Sequence, residues 1–334
     1  MAEALEAADR VQAMLAQTPP ELDVLLDVLA MERPSCLLTL ARGSSDHAAS
    51  YFAYLAMCRW RLPVASVPPS VLSLYGAAPV GPGALSFTWS QSGQSPDLVR
   101  ATQQLGAAGV PTVALVNDTR SPLAGVARWA LDLGAGPEHS VAATKSFIAQ
   151  LAWGARLVSQ AEGDAAFAAA VRQLPALLRA ASAMPWTQLA DRLVSAQRMY
   201  VIGRGPGMAV AHEMALKLKE VCGIQAEAHS SAEVRHGPMA LAQPGLGVLV
   251  LATAGPALQD TLQLAAELKS LGADVLTAAP PGQSADLPLA LAQADELQPI
   301  AAIQSFYLGL PELARARGMD PDRPQHLRKV TRTL

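Results

Sequence analysis

Aromatic residues are scarce in this chain, 4% of 334 positions, and charged residues reach only 16%. So few rings make a poor stacking surface for single-stranded nucleic acid. A formal net charge of -3 supplies no basic patch for DNA, RNA or an anionic membrane. The three cysteines, Cys36, Cys58 and Cys222, are isolated, with no C-x-x-C pair, so neither a disulfide framework nor a redox motif is expected and a reducing compartment fits. His212, His229 and Cys222 lack metal-ligand spacing, which argues against a zinc site. There is no Walker lysine and no G-x-G-x-x-G, so a nucleotide phosphate is a poor fit. The most apolar stretch, 245–258, is too short and too broken by Gly and Pro to span a bilayer. Met1-Ala-Glu-Ala-Leu-Glu6 opens acidic and without a signal-peptide core, so a soluble, cytoplasmic protein is expected.

What the chain has is aliphatic bulk. Hydrophobic residues make up 51%, with Ala, Leu and Val dominant, which suits helices packed on buried parallel strands. Its length is comfortable for two domains. Residues 3–31 read as helical around a break at Pro19-Pro20. From residue 35 short apolar runs alternate with amphipathic stretches: strand Cys36–Ala41, helix His47–Trp60, strand Leu85–Trp89, helix Pro96–Gly106, strand Pro111–Val116. This alternation predicts βαβ units and a parallel sheet.

The pattern then repeats. Leu38-Thr-Leu-Ala-Arg-Gly43 resembles Tyr200-Val-Ile-Gly-Arg-Gly205, and the two arginines lie 162 residues apart (204 − 42). Ser90-Gln-Ser-Gly93 corresponds to Ala252-Thr-Ala-Gly255 at the same offset (255 − 93). Two anchors with one offset predict a tandem duplication. The expected organisation is α/β: two tandem domains, each a parallel sheet flanked by helices in a doubly wound, three-layer arrangement. A helical lead covers 1–33, the first domain 34–165, the second 190–310, and a basic tail 311–334.

Ligands of open parallel sheets bind beyond the carboxyl ends of the strands. The loop Ser90-Gln-Ser-Gly-Gln-Ser95 falls at such a place, with Ser95 able to cap the next helix, Pro96 suited to its first position and Asp97 to its positive end. Ser90, Ser92 and Ser95 offer hydroxyl donors, and Gly93 permits close backbone approach to an anion. The same serines would also serve a plain polar turn. The second copy, however, has Ala252-Thr-Ala254 at the equivalent place, so the fold element does not require them. The first copy is therefore expected to bind a compact phosphate ester and the second to act as scaffold.

The second copy carries different chemistry. Glu213, Lys217 and Glu220 share one face of helix 207–222, which Gly223 is placed to cap. Taken alone, such a row is an ordinary solvated ion-pair ladder. A polar segment follows, Glu227-Ala-His-Ser-Ser-Ala-Glu-Val-Arg-His-Gly-Pro238, rich in acid–base groups for so apolar a chain. A carboxylate, an amine and an imidazole are what aldose–ketose chemistry needs, a base for the C1/C2 proton and an acid to open the ring. His236 reads equally as a loop histidine of no consequence.

On Arg42-Gly-Ser-Ser45, Ser90-Gln-Ser-Gly93, Val141-Ala-Ala-Thr-Lys145, Ala215-Leu-Lys-Leu-Lys-Glu220, His236-Gly-Pro238 and Leu327-Arg-Lys329, the sequence resembles the sugar isomerase (SIS) domain family. Within that family it is similar to the isomerase half of the glucosamine-6-phosphate synthases and to the stand-alone aminosugar-phosphate deaminases. The resemblance implies that Ser45, Ser90, Gln91, Ser92 and Ser95 hold the phosphate and that Val141 lines the sugar. It implies further that Glu220 shuttles the C1/C2 proton, that Lys217 assists near the carbonyl and that His236 opens the ring. Lys329 matches a tail lysine able to form a Schiff base with the open ketose. A homodimer is implied, with His236 reaching the neighbouring subunit's site, and one site is expected to need both copies. No metal or nucleotide cofactor is implied.

The glutaminase domain that opens the synthases is not found in this sequence, which turns the expectation toward glucosamine-6-phosphate deamination. The alternatives are an ammonia-dependent synthase running the same chemistry backward, a plain aldose–ketose isomerase, and a non-catalytic sugar-phosphate sensor.

Overall fold

The computed structural model describes residues 1–78 and 81–329. The end of the tail motif, 330–334, lies outside them. The chain divides into two compact units. One comprises Asp9–Glu138, Lys145–Arg172 and, from the tail, Arg328 and Lys329; the other comprises Met1–Ala8, His139–Thr144 and Gln173–Leu327.

The first unit holds strands β1 (Cys36–Leu40), β2 (Val64–Ser66), β3 (Ala84–Ser90), β4 (Thr112–Val116) and β5 (Trp129–Asp132). They form one parallel sheet in the order β2-β1-β3-β4-β5. β3 and β4 are buried along their whole length, as central strands covered on both faces should be. The few aromatics gather here: Phe52 packs on Phe87 and Trp89 at ring centroid distances of 4.9 and 5.4 Å, with Trp60 edge-on at 5.8 Å. Helix Lys145–Glu162 is buried continuously from Lys145 to Ser159, the signature of a core helix rather than a surface one. The expected helix His47–Trp60 starts earlier, at Ser44, and its last turn, Ala56–Trp60, widens into a π-turn that ends at left-handed Arg61.

The second unit holds β6 (Arg198–Gly203), β7 (Gln225–Ser230), β8 (Gly247–Leu251), β9 (Asp274–Ala279) and β10 (Leu287–Pro288), all parallel, in the order β10-β9-β8-β6-β7. Counted within each sheet, both orders are 2-1-3-4-5, so topology confirms the duplication read from the sequence. Backbone angles repeat as well. Gly43 has φ 55°, ψ −133° and Gly205 has φ 57°, ψ −135°, each preceding the helix that follows the first strand of its sheet. The core helix of this unit, Gln298–Ala316, touches the carbonyl of Trp186 so closely at Gly309 that a Cβ there would lie 2.2 Å from it. Among the described residues no helix is long and apolar enough to cross a membrane.

Candidate active site

In a 2-1-3-4-5 sheet the connections diverge between the first and third strands, leaving a crevice at their carboxyl ends. In the first unit these are β1 and β3, paired from Cys36↔Ala84 to Leu40↔Thr88. Two of the expected phosphate segments leave the sheet there. Ser45 lies in the first turn of helix Ser44–Leu55, where its hydroxyl accepts from Gln150 Nε2 at 2.9 Å. Ser90 ends β3, and the serine loop leads into helix Pro96–Ala107. Two helix N-termini therefore accompany the hydroxyls, and their dipoles make a favourable setting for an anion.

Ser90 Oγ accepts the Gly93 N–H at 3.1 Å and Ser92 Oγ accepts the Gln94 N–H at 3.2 Å. Each hydroxyl that accepts through oxygen still has its own proton to donate. Hydroxyl protons, rather than the Gly93 and Gln94 amides, are what this turn offers a phosphate. Ser95 occupies the N-cap position and Pro96 the first helical one, as the sequence predicts, but the Ser95 hydroxyl makes no capping bond. Gly93 has φ 62°, and a Cβ there would lie 2.2 Å from Ser121 Oγ and 2.6 Å from Ser121 Cβ. The glycine is thus required by this packing as well as by access to an anion. Asp97 is completely buried and takes Arg42 Nε at 2.9 Å and Nη2 at 2.8 Å, fixing the arginine of the Arg-Gly-Ser-Ser motif to the helix after the loop.

In the second unit the equivalent turn is filled from within. The Ala254 N–H donates to Gln298 Oε1, and Asp295 packs against Gly255. A side chain of the same chain thus takes a backbone donor that an anion would need.

Helix Pro206–Cys222 carries Glu213, Lys217 and Glu220, and they do not form a solvated ladder. Glu213 and Lys217 are buried, while Glu220 keeps a partly open face. Lys217 Nζ lies 2.5 Å from Glu220 Oε2 and 3.3 Å from Glu213 Oε1, and Tyr307 Oη donates to Glu213 Oε1 at 3.0 Å. Burial alone would push the Lys217 ammonium down. The two carboxylates outweigh it and hold the group above its usual value of 10.5. The arrangement is a charged amine locked between two acids, with one acid reaching the outside. Gly223 ends the helix in the left-handed conformation, φ 60°, ψ 29°.

His236 lies on a different element, exposed on the turn Glu233–His236. Val141 is half-buried in the segment His139–Thr144. That segment is held by the Glu3 carboxylate, which accepts the backbone N–H groups of His139 and Ser140. Lys329 belongs to the first unit, where its Nζ donates to Glu138 Oε2 at 2.8 Å. Glu138 has a fully buried side chain and also accepts the Ser146 N–H at 3.2 Å and the Ser146 hydroxyl at 2.7 Å, at the start of helix Lys145–Glu162. Glu3, which holds the segment of Val141, and Glu138, which takes Lys329, are acids that sequence reasoning misses. Each is one acid among 28 Asp and Glu, and the only signal for Glu138 is its place three residues before Val141.

The cysteines divide by access. Cys58 is exposed, Cys36 intermediate and Cys222 buried, and burial pushes the Cys222 thiol up to about 12. Alkylation near pH 8, followed by peptide mass spectrometry, is expected to label Cys58 first and to spare Cys222 until denaturant is added. Labelling of Cys222 in the native protein at the rate of Cys58 contradicts its burial.

The chain thus has a duplicated, doubly wound parallel α/β fold, with hydroxyls and helix N-termini at the switch point of the first unit and a carboxylate–amine–carboxylate row on one helix of the second. Comparison with known sequences gives the family: the sequence model of the SIS domain matches residues 33–159 and 192–285, and the chain belongs to the SIS domain family. A curated relative, the glutamine–fructose-6-phosphate aminotransferase (isomerizing) of Halobacterium salinarum, is 32% identical over 327 residues. The match covers 93% of this chain and 54% of that protein, so the chain spans about half the length of this relative. A candidate phosphosugar isomerase of Silicibacter pomeroyi DSS-3 superposes with a TM-score of 0.90 at 38% identity, over 96% of this chain and 98% of that one. The glucosamine-6-phosphate deaminase of Thermotoga maritima shares the fold, with a TM-score of 0.79 at 22% identity and 99% of each chain covered.

Proposed function

We propose that the chain is a phosphosugar aldose–ketose enzyme, and specifically a glucosamine-6-phosphate deaminase. The observation that carries this reading is the row Glu213–Lys217–Glu220, buried at its first two members and partly open at Glu220. Keeping three charges in an apolar helix face is costly unless they serve a purpose beyond stability, and proton transfer at a sugar carbonyl is chemistry they suit.

In this reading the Ser45 and Ser90–Ser95 hydroxyls, with Gln91, take the phosphate. His236 protonates the ring oxygen and accepts the proton of the anomeric hydroxyl, which frees the C1 aldehyde. Glu220 takes the C2 proton and returns it to C1, while the C1 oxygen gains a proton and the C2 amine loses one, converting the amino aldehyde into a C2 ketimine with a C1 hydroxyl. Lys217 supports the charge that develops at the carbonyl end. Water adds to the ketimine and ammonia leaves, so glucosamine 6-phosphate and water give fructose 6-phosphate and ammonia in equal amounts. Lys329, whose Nζ donates to Glu138, is the amine available for a Schiff base with the open ketose. The exposure of His236 is consistent with its serving a neighbouring subunit in a homodimer.

A second reading has its own support. The 32% identity with an aminotransferase that carries fructose 6-phosphate in its name favours the reverse direction, with ammonia as the nitrogen donor.

Purified protein given glucosamine 6-phosphate is expected to release ammonia and fructose 6-phosphate one for one, measured in separate coupled assays. Given fructose 6-phosphate and ammonium instead, net formation of glucosamine 6-phosphate and no measurable deamination would favour the synthase reading. Sugar turnover without ammonia points to a plain isomerase. Binding with no turnover in either direction leaves only a sensor.

A further inference from the structure

His236 sits on a four-residue 3₁₀ turn, Glu233–His236, followed at once by Gly237 with φ 138°, a conformation residues with side chains rarely adopt. So short a turn, next to such a glycine, has little stiffness of its own. The stiffness comes from contacts on either side, all within the second unit. Val234 is completely buried in a cluster with Tyr200, Leu264 and Leu268. Arg235 forks onto helix Leu258–Ser270: Nε donates to Glu267 Oε2 at 3.0 Å, Nη2 to Glu267 Oε1 at 3.1 Å and Nη1 to Asp260 Oδ1 at 3.3 Å. Beyond the glycine, Tyr200 Oη donates to the Pro238 carbonyl at 3.2 Å, and the His229 ring packs edge-on against Tyr200 at 4.6 Å. The chain is tied at 234, 235 and 238, while His236 and Gly237 between them are exposed.

We propose that Arg235 and Tyr200 are positioning residues for His236, clamping the backbone on both sides of an imidazole left open to substrate. The proposal rests on the ring-opening role given to His236 above. A single exposed ion pair is worth little to stability. A bidentate fork is different in kind, because it fixes direction as well as distance. The hydrogen bonds from Arg235 hold the Glu267 carboxyl below its ordinary range, as a formed pair requires. The cost of losing either tie therefore falls on the placement of the imidazole more than on folding, and misplacement by about 1 Å can lower a rate about 100-fold.

The test uses Arg235→Gln, Arg235→Lys, Glu267→Gln and Tyr200→Phe, each alone and combined with His236→Gln, with thermal melts as folding controls. Arg235→Gln and Tyr200→Phe are expected to lower kcat for glucosamine 6-phosphate about 10- to 100-fold with KM within about 3-fold of wild type. Arg235→Lys recovers only part of the loss, because an ammonium cannot fork. Glu267→Gln breaks the same tie from the other end and repeats the Arg235→Gln effect even if that variant folds poorly. With His236→Gln already present, none of them lowers kcat further, since all act through His236. Independently of turnover, 13C-histidine NMR is expected to show one sharp His236 resonance in the wild type, broadened in the clamp variants.

Unchanged kcat and an unchanged His236 signal in the clamp variants overturn the proposal, as do losses that add fully to that of His236→Gln. A wild type that releases no ammonia sinks the deaminase reading instead, and the NMR arm still decides whether the clamp holds the turn.

Discussion

Glu220→Gln is expected to lower turnover of glucosamine 6-phosphate by about 100- to 10,000-fold, the usual worth of a general base. Phosphosugar affinity should stay within a few-fold of wild type. The amide has nearly the size and shape of the carboxylate and can still accept a hydrogen bond from Lys217, now 2.5 Å from Glu220 Oε2. What it cannot do is take a proton from carbon. The expected signature is a fall in kcat at nearly constant KM, checked by ammonia release together with direct binding of fructose 6-phosphate. A variant retaining a third or more of wild-type kcat removes Glu220 from the reaction.

Lys217→Met is expected to cost the second unit about 3–5 kcal/mol, the usual penalty for removing one partner of a buried ion pair. It leaves the buried Glu213 facing Glu220 with no cation between them. Pairing the change with Glu213→Gln should return much of the loss, because the stranded charge goes with it. The pH dependence has a definite sign. Lys217 is held above its usual 10.5, so its contribution is complete below that value and is lost as pH rises through the raised one. The gap between wild type and variant should therefore be full at pH 7 and narrow only in strong alkali. Denaturant titrations at neutral pH and above pH 10.5 measure it; a variant as stable as wild type at pH 7 contradicts the burial of the row.

Much of the fold was legible because buried parallel strands announce themselves. Cys36–Leu40, Ala84–Ser90 and Thr112–Val116 are short, largely apolar runs flanked by Gly, Ser or Pro, and the matching runs 162 or 163 residues later (198 − 36, 247 − 84, 274 − 112) carry the same 2-1-3-4-5 order. Edge strands gave no such signal. β7 reads as a polar stretch because an edge strand is covered less than a central one and leaves Gln225 and Glu227 in contact with water. The expected helix His47–Trp60 began three residues late, because a glycine-initiated turn at Gly43 lets Ser44 and Ser45 into the helix without a capping side chain.

The acid–base row shows the same limit from the site's side. Spacing placed Glu213, Lys217 and Glu220 on one face but is blind to what covers that face. The same i, i+4, i+7 row is a solvated ladder when it meets water and a largely buried row of ion pairs when helix Gln298–Ala316 brings Tyr307 against it. Nor could spacing join Lys329 to Glu138, 191 residues apart, since no local pattern encodes so distant a pair.

The sequence by itself determined the repeat, the parallel α/β class, the serine loop at a strand end and the alignment of three charges on one helix. These follow from periodicity and turn chemistry, which act between near neighbours in the chain. Only the tertiary structure decided which amides of the serine loop its own hydroxyls take, that the second copy fills its own turn with Gln298, and that Lys217 is dry between its acids. Burial and the pairing of distant groups are properties of packing, and packing is settled by the whole fold at once.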